Sequence, residues 1–289
     1  MIHPPSLKRA ASLFGVSFLL MMVISVAFYY LKPEGAAINI PWLSVSISIF
    51  AVALPAVVAC YWPREGAPGA LPSFHFVDRW LLGGAALLSL PLYVVFATLQ
   101  IAASKLFAMP VESGLVEPLT AGSPLAFAWI WLAVAFFPAF TEETMYRGLL
   151  QSAAVRRWGP WVGLIAASFF FSLAHLEPAG FLSRILMGLW FGYLFLRTGS
   201  ILPGAIAHTL NNSWGVVLAN WGTQIEPQLP WVYALATALL LAGLACLYKA
   251  GLFKKADALP AGEFVPEHQV PRVVTVSRPP ETQGTGEKD

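Results

Sequence analysis

The sequence predicts an all-α, polytopic membrane protein, a bundle of about eight transmembrane helices. Three observations predict it. Hydrophobic residues make up 57% of the 289 and charged residues only 11%, where a soluble domain is typically about 25% charged. The apolar residues fall in runs close to the roughly 20 residues that a helix needs to cross a bilayer; they cover 11–31, 39–61, 80–104, 124–146, 161–176, 180–197, 201–220 and 231–250. Trp42, Trp62, Trp80, Trp158, Trp161, Trp221 and Trp231 all stand near the ends of those runs, where amphipathic indoles anchor at the headgroup level.

Each run has its own reason. The first follows Lys8 and Arg9, exceeds a signal-peptide core and lacks a small-residue cleavage site behind it, so it is expected to be a retained helix. The second and eighth hold Cys60 and Cys246, the only cysteines; neither a disulfide framework nor a cysteine metal site follows. His75, between the second and third runs, is expected to be solvated or interfacial, and Pro110, Pro118 and Pro124 to turn the loop before the fourth. The fifth and sixth runs are short and tightly spaced. The sixth contains Gly188-x-x-x-Gly192, a small-residue pattern that allows close helix approach, expected inside the bundle rather than at a dimer face. Residues 1–252 are thus the bundle, and 253–289, with prolines, scattered charges and little apolar periodicity, are expected to be a disordered cytoplasmic tail.

Charge placement gives orientation. With the N-terminus inside, Lys8, Arg9, Arg64, Arg79, Arg147, Arg156, Arg157, Arg197, Lys249, Lys254 and Lys255 fall on inner segments, against Lys32, Lys105 and Arg184 outside. The positive-inside rule then puts both termini in the cytoplasm. Arg156 and Arg157 are expected to meet anionic headgroups. Nothing points to nucleic acid; the expected partners are membrane lipid and a peptide or protein substrate at the membrane.

The polar residues inside the runs carry the chemistry. Thr141-Glu-Glu-Thr-Met-Tyr-Arg147 ends the uncharged stretch 124–140. Ionisable groups at membrane depth cost about 2.5–3.5 kcal/mol each on insertion scales, and mark functional sites by default. Helical spacing puts Glu143 and Arg147 on one face and turns Glu142 elsewhere, with Tyr146 on its side. That predicts a supporting Glu143–Arg147 pair and a chemically free Glu142. Phe171 and His175 stand one turn apart in the fifth run; His208 and Asn212 share a face of the seventh, with Asn211 beside them. A carboxylate, two imidazoles and an amide on three helices can activate water and hold an oxyanion.

Glu142-Glu143-x-x-x-Arg147, Phe171-x-x-x-His175 and His208-x-x-x-Asn212 resemble, in order, the three signatures of the CPBP intramembrane proteases. That family includes the type II CAAX prenyl endopeptidases and the Abi-like bacteriocin-processing and self-immunity proteins. The resemblance covers 124–220 and implies an endopeptidase that hydrolyses a peptide bond of a membrane-associated substrate, prenylated or not. It implies Glu142 as general base, helped by His175; His208 and Asn212 holding the carbonyl and its oxyanion; and Glu143 and Arg147 supporting the site. Tyr146 stands where many members have phenylalanine. The family is often classed as metalloproteases, and Glu142, His175 and His208 could hold zinc with an open position. No His-Glu-x-x-His helix is present, and a metal-free mechanism, slightly favoured, is as easily written.

Two other classes fit the same polar cluster: a non-enzymatic immunity or scaffold protein that keeps it for structure, and a proton-coupled carrier. The carrier predicts repeat symmetry, which the sequence lacks. The site is expected to open to the cytoplasmic half. One distance stands against simple assembly: Glu142 lies near the inner end of its run, whereas His175 lies about 20 Å from the inner start of its own, at 1.5 Å per residue. Their meeting requires a fifth span that starts later or tilts, or a fourth that continues past Arg147.

Overall fold

The computed structural model describes residues 6–34, 38–61, 74–109, 119–225 and 229–253. The tail expected at 253–289 therefore lies outside the described residues except for Phe253, as do Trp62, Arg64, Pro110, Pro118, Lys254 and Lys255. The described residues form eight helices and no strand: α1 (Leu7–Leu31), α2 (40–61), α3 (Arg79–Leu106), α4 (Pro124–Trp158), α5 (Pro160–Leu173), α6 (Phe181–Thr198), α7 (Leu202–Ile225) and α8 (Leu229–Lys249). Five of them, α1, α2, α3, α4 and α8, are long and apolar enough to cross a membrane. The other three are shorter or interrupted by the polar residues of the candidate site.

Helix starts follow local chemistry. Ser6 accepts from Arg9 N–H, Asn39 from Trp42 N–H, Asp78 from Trp80 and Leu81 N–H, and Ser123 from Ala126 N–H. Each satisfies donors that the first turn leaves unpaired, and Pro124 follows Ser123 where its missing N–H costs nothing. Gly159, at φ 85°, ends α4, and Pro160 starts α5 immediately. Gly199, at φ 67°, closes α6.

Consecutive helices alternate in direction, so the bundle has two ends. The terminal end is where α1 begins and α8 finishes. There Lys249 lies over the Trp80 ring at 3.7 Å. His75 is not merely solvated: its Nε2 lies 3.2 Å from Thr198 O, and its carbonyl accepts from Ser200 Oγ at 2.7 Å. At the distal end Asn220 of α7 accepts from Ala121 N–H at 2.8 Å and donates to Leu119 O at 3.0 Å. Of the end tryptophans, Trp42, Trp158, Trp161, Trp221 and Trp231 are exposed, as lipid-interface anchors should be.

The tightest packing joins α4, α5 and α6. A Cβ on Gly188 would stand 2.9 Å from Ser168 Cα, and one on Gly192 2.6 Å from Gln151 Oε1. The small-residue pair therefore makes an internal contact, as expected. It also exposes α6 carbonyls: Arg147 Nη2 donates to Gly188 O at 3.1 Å and Gln151 Nε2 to Gly192 O at 2.9 Å. Two side chains one turn apart on α4 thus meet two carbonyls one turn apart on α6.

α4 is longer than the run 124–146 that predicted it. It continues as one helix to Trp158 and contains wider π-type turns at Leu132–Phe136 and Thr144–Gln151, a feature that recurs at functional sites. α5 is shorter than expected and stops at Leu173, with Leu176 at φ 53° just beyond. His175 consequently sits past the helix end rather than within it.

Candidate active site

α4, α5, α6 and α7 bring the three signatures together. The Glu143–Arg147 pair forms as the spacing requires, 2.8 Å apart, with both side chains almost fully buried (0% and 1% exposed). The guanidinium lies 4.8 Å from the Phe171 ring centroid and 5.5 Å from that of Phe191. Buried charge of this kind holds only if paired and hydrogen-bonded. Arg147 has a carboxylate, a carbonyl and two aromatic faces. A Cβ on Gly204 would stand 2.8 Å from Glu143 Oε2, so α7 carries glycine where that carboxylate needs room.

The two glutamates are not as divided as the spacing alone suggests. His208 Nδ1 lies 3.2 Å from Glu143 Oε1, and its Nε2 lies 3.9 Å from Glu142 Oε2. The side chains do leave α4 in different directions. The imidazole stands between them and turns one nitrogen to each. Phe191 stacks on its face at 4.9 Å and Phe171 meets it edge-on at 5.7 Å. Of the two carboxylates only Glu142 is reachable, with 21% of its side chain exposed.

His175 Nδ1 lies 2.8 Å from Phe171 O. A carbonyl only accepts, so Nδ1 carries the proton and Nε2 of the neutral ring is left as an acceptor. Asn211 Nδ2 lies 3.9 Å from Met187 Sδ, and Asn212 is half-buried beside it. Glu142, His175, His208, Asn211 and Asn212 all line one cavity of about 530 Å³. The obstacle of distance is removed by the hairpin at Gly159. Glu142 precedes that turn by about 17 positions and His175 follows it by about 16, so at 1.5 Å per residue both lie some 24 Å from it. The fourth helix does continue past Arg147, and that brings the two level.

The cavity runs from Glu142 toward the distal end of the bundle. Above Glu142 its walls are Ile40 and Ser44 of α2, Tyr93, Phe96 and Gln100 of α3, Val134 and Pro138 of α4, Val216 of α7, and Leu119. All lie between the site and the distal end. Two basic residues move: Arg147 is a core residue and no surface charge, and Arg184 lines the cavity.

Sequence reasoning missed the rim. Arg184 of α6 pairs with Glu177, and Gln100 Nε2 donates to Glu177 Oε1 at 2.6 Å. The only signal was a charged residue two positions after His175. It also missed Gly204 and the Gly188 carbonyl, because a backbone acceptor or an absent side chain leaves no chemical mark in a sequence.

A three-ligand zinc site does not fit this arrangement. Among the described residues no three His, Cys, Asp or Glu side chains converge as metal ligands. His208 Nδ1 faces Glu143, His175 Nδ1 faces a carbonyl, and Glu142 stands 3.9 Å from the nearer imidazole nitrogen.

Residues 124–214 match the family model described as Type II CAAX prenyl endopeptidase Rce1-like. The matched stretch begins at the first residue of α4 and ends just past Asn212, so it holds all three signatures. No curated protein and no solved structure matches the chain.

Proposed function

We propose, from the premise that residues 124–214 belong to the CPBP/CAAX protease family, that this integral membrane protein is an intramembrane endopeptidase working through a glutamate-activated water. The observation that carries the proposal is the convergence of Glu142, His175, His208 and Asn212 on one cavity, with Glu143 and Arg147 buried behind it.

The residues divide the work as follows. Glu142, the reachable carboxylate, takes a proton from water as the oxygen adds to the scissile carbonyl. His175 orients that water through Nε2, its Nδ1–H being held by Phe171 O. His208 gives Nδ1–H to Glu143, which turns Nε2 to the cavity; protonated, Nε2 donates to the developing oxyanion together with the Asn212 amide. With His208 protonated, two cations and two carboxylates balance within the cluster. When the tetrahedral adduct collapses, Glu142 passes its proton to the leaving nitrogen, so carboxylate and amine are the products and Glu142 is restored. General acid–base catalysis of this kind is worth about 10²–10⁴-fold. We place both termini in the cytoplasm, on the charge asymmetry between the two ends of the bundle.

The test is cleavage of a membrane-anchored peptide by purified wild type, Glu142→Ala and His208→Ala. Loss in both variants is expected. Turnover at the wild-type rate in both sinks the reading, and a protein that acts without catalysis would keep its cellular effect in the same variants.

A further inference from the structure

A second cavity, of about 460 Å³, lies at the terminal end of the bundle, between the start of α1 and the α4–α5 hairpin. It shares no lining residue with the cavity at Glu142. Aromatic rings stand between the two. The Phe170 ring, on the wall of the second cavity, is 5.3 Å from Phe14 between centroids; Phe14 is 6.0 Å from Tyr146, and Tyr146 is 5.1 Å from Phe171, which faces the first. Small side chains leave the groove open: Ala11 of α1, Ala154 of α4 and Ala166 of α5 line it, with Leu7, Leu150 and Phe170 around them. α1 is loosely held here, since only Ala10 and Ser17 of its 25 residues are buried.

The mouth of this groove is basic. Lys8 and Arg157 line it and are exposed, and Trp158 beside them is 48% exposed. No acidic side chain lines the groove. Among the described residues neither cation has an ion-pair partner; the pairs are Glu143 with Arg147 and His208, Glu142 with His208, and Glu177 with Arg184. Arg9 and Arg156, their neighbours in sequence, each have a partner. An apolar slot beneath two uncompensated cations, with an indole at headgroup level, complements a lipid that carries a phosphate and an acyl chain. Arg157 offers forked donors to phosphate oxygens, and Lys8 adds a compact point charge.

We infer that this groove is a binding site for one anionic phospholipid. Lys8 and Arg157 hold its phosphate, Trp158 packs at the level of the headgroup, and an acyl chain lies along Ala11, Ala154 and Ala166 as far as Phe170. The inference narrows a general contact of basic residues with headgroups to a single seat. A zwitterionic lipid has the same chains, but its own cation offsets the attraction, so the seat is selective for net negative charge. The bound lipid splints α1 to the hairpin whose turn at Gly159 sets Glu142 and His175 level. The site stands whether or not the protein cleaves peptides.

The experiment uses the full chain in a neutral detergent. Retained lipid is counted by native mass spectrometry as palmitoyl-oleoyl phosphatidylglycerol or the phosphatidylcholine with the same chains is titrated in. Wild type is expected to keep one phosphatidylglycerol per chain in preference to phosphatidylcholine. Lys8→Gln with Arg157→Gln should weaken that retention about 30-fold, the worth of two basic residues near an anionic surface. Arg79→Gln with Lys249→Gln removes as much charge from the same end but outside the groove, and should leave retention unchanged. Ala11→Trp keeps both cations and fills the slot, so it should lose the lipid too; Ala166→Leu takes its place should Ala11→Trp fail to fold. Phosphatidylglycerol is also expected to raise the unfolding temperature of wild type and not that of the filled variant. Equal losses in the two charge pairs, or no preference for phosphatidylglycerol, overturn the inference, because attraction to any basic surface then explains the binding. Undiminished retention in the filled variant also overturns it, and displacement of the lipid by inorganic phosphate would then mark a bare anion site.

Discussion

The two halves of the α4–α7 bundle are built on opposite principles, although α4 runs through both. Toward the terminal end, the polar side chains of α4 reach across to protein partners: Arg147 to Glu143 and Gly188 O, Gln151 to Gly192 O, Ser152 to Arg147 O. Glycines on the facing helix remove what would hold the backbones apart. Toward the distal end, the helices stand away from one another and leave a cavity of about 530 Å³. Glu142 sits at the boundary, and neighbouring glutamates fall on either side of it: Glu143 belongs to the sealed half and Glu142 to the open one. Burial of one carboxylate against Arg147 and His208 is what allows the next to remain available.

This contrast breaks at predictable places. The largest effect is expected from Glu142→Gln, which should lower kcat by about 10²–10⁴-fold in a peptide-cleavage assay. Its thermal stability should stay within about 0.5 kcal/mol of wild type, as for a substitution outside the packed network. Arg147→Met should do the reverse. Leaving Glu143 buried without its partner is expected to cost about 3–5 kcal/mol, read as a lower unfolding temperature in detergent, and Glu143→Gln in the same chain should recover much of it. Asn212→Ala should reduce kcat by about 10²–10³-fold with an unchanged unfolding temperature, as removal of one oxyanion donor does.

Gly188→Ala probes the seal itself. Its Cβ would meet Ser168 Cα at 2.9 Å, and backbone cannot swing aside as a side-chain tip can. A loss of about 1–3 kcal/mol is expected, as for overpacking generally, with activity falling only as far as α4 and α6 separate. The smallest effect should come from the open half: Asn39→Ala removes the cap on α2, worth about 1 kcal/mol, and should leave cleavage intact. Equal sensitivity of the two halves to such changes would dissolve the comparison.

How much of this was legible in the sequence differs between the halves as well. The eight helices were readable because lipid demands length and apolarity, and the Glu143–Arg147 pair because i and i+4 share a face whatever surrounds them. The three signatures identified the residues that would meet. What the sequence could not carry was the relation between helices: that α4 runs on to Trp158, that His208 turns a nitrogen to each glutamate, and that the cavity leads to the distal end. Those depend on which backbones touch. The Glu177–Arg184 pair was invisible for the same reason, since Glu177 lies outside any span and only folding returns it to the rim.

The turn at Gly159 makes α4 and α5 a measuring device. Two antiparallel arms leave one fixed point, and Glu142 and His175 lie almost equally far along each. Their alignment is therefore set by residue count and not by any bond between them. One residue added to either arm between Arg147 and Phe171 would displace its group by about 1.5 Å along the axis and turn it by about 100°, with every side chain still present. Such an insertion should silence the enzyme while the bundle survives. Substitutions anywhere in the same stretch leave the count untouched, so in this segment length is constrained more tightly than composition.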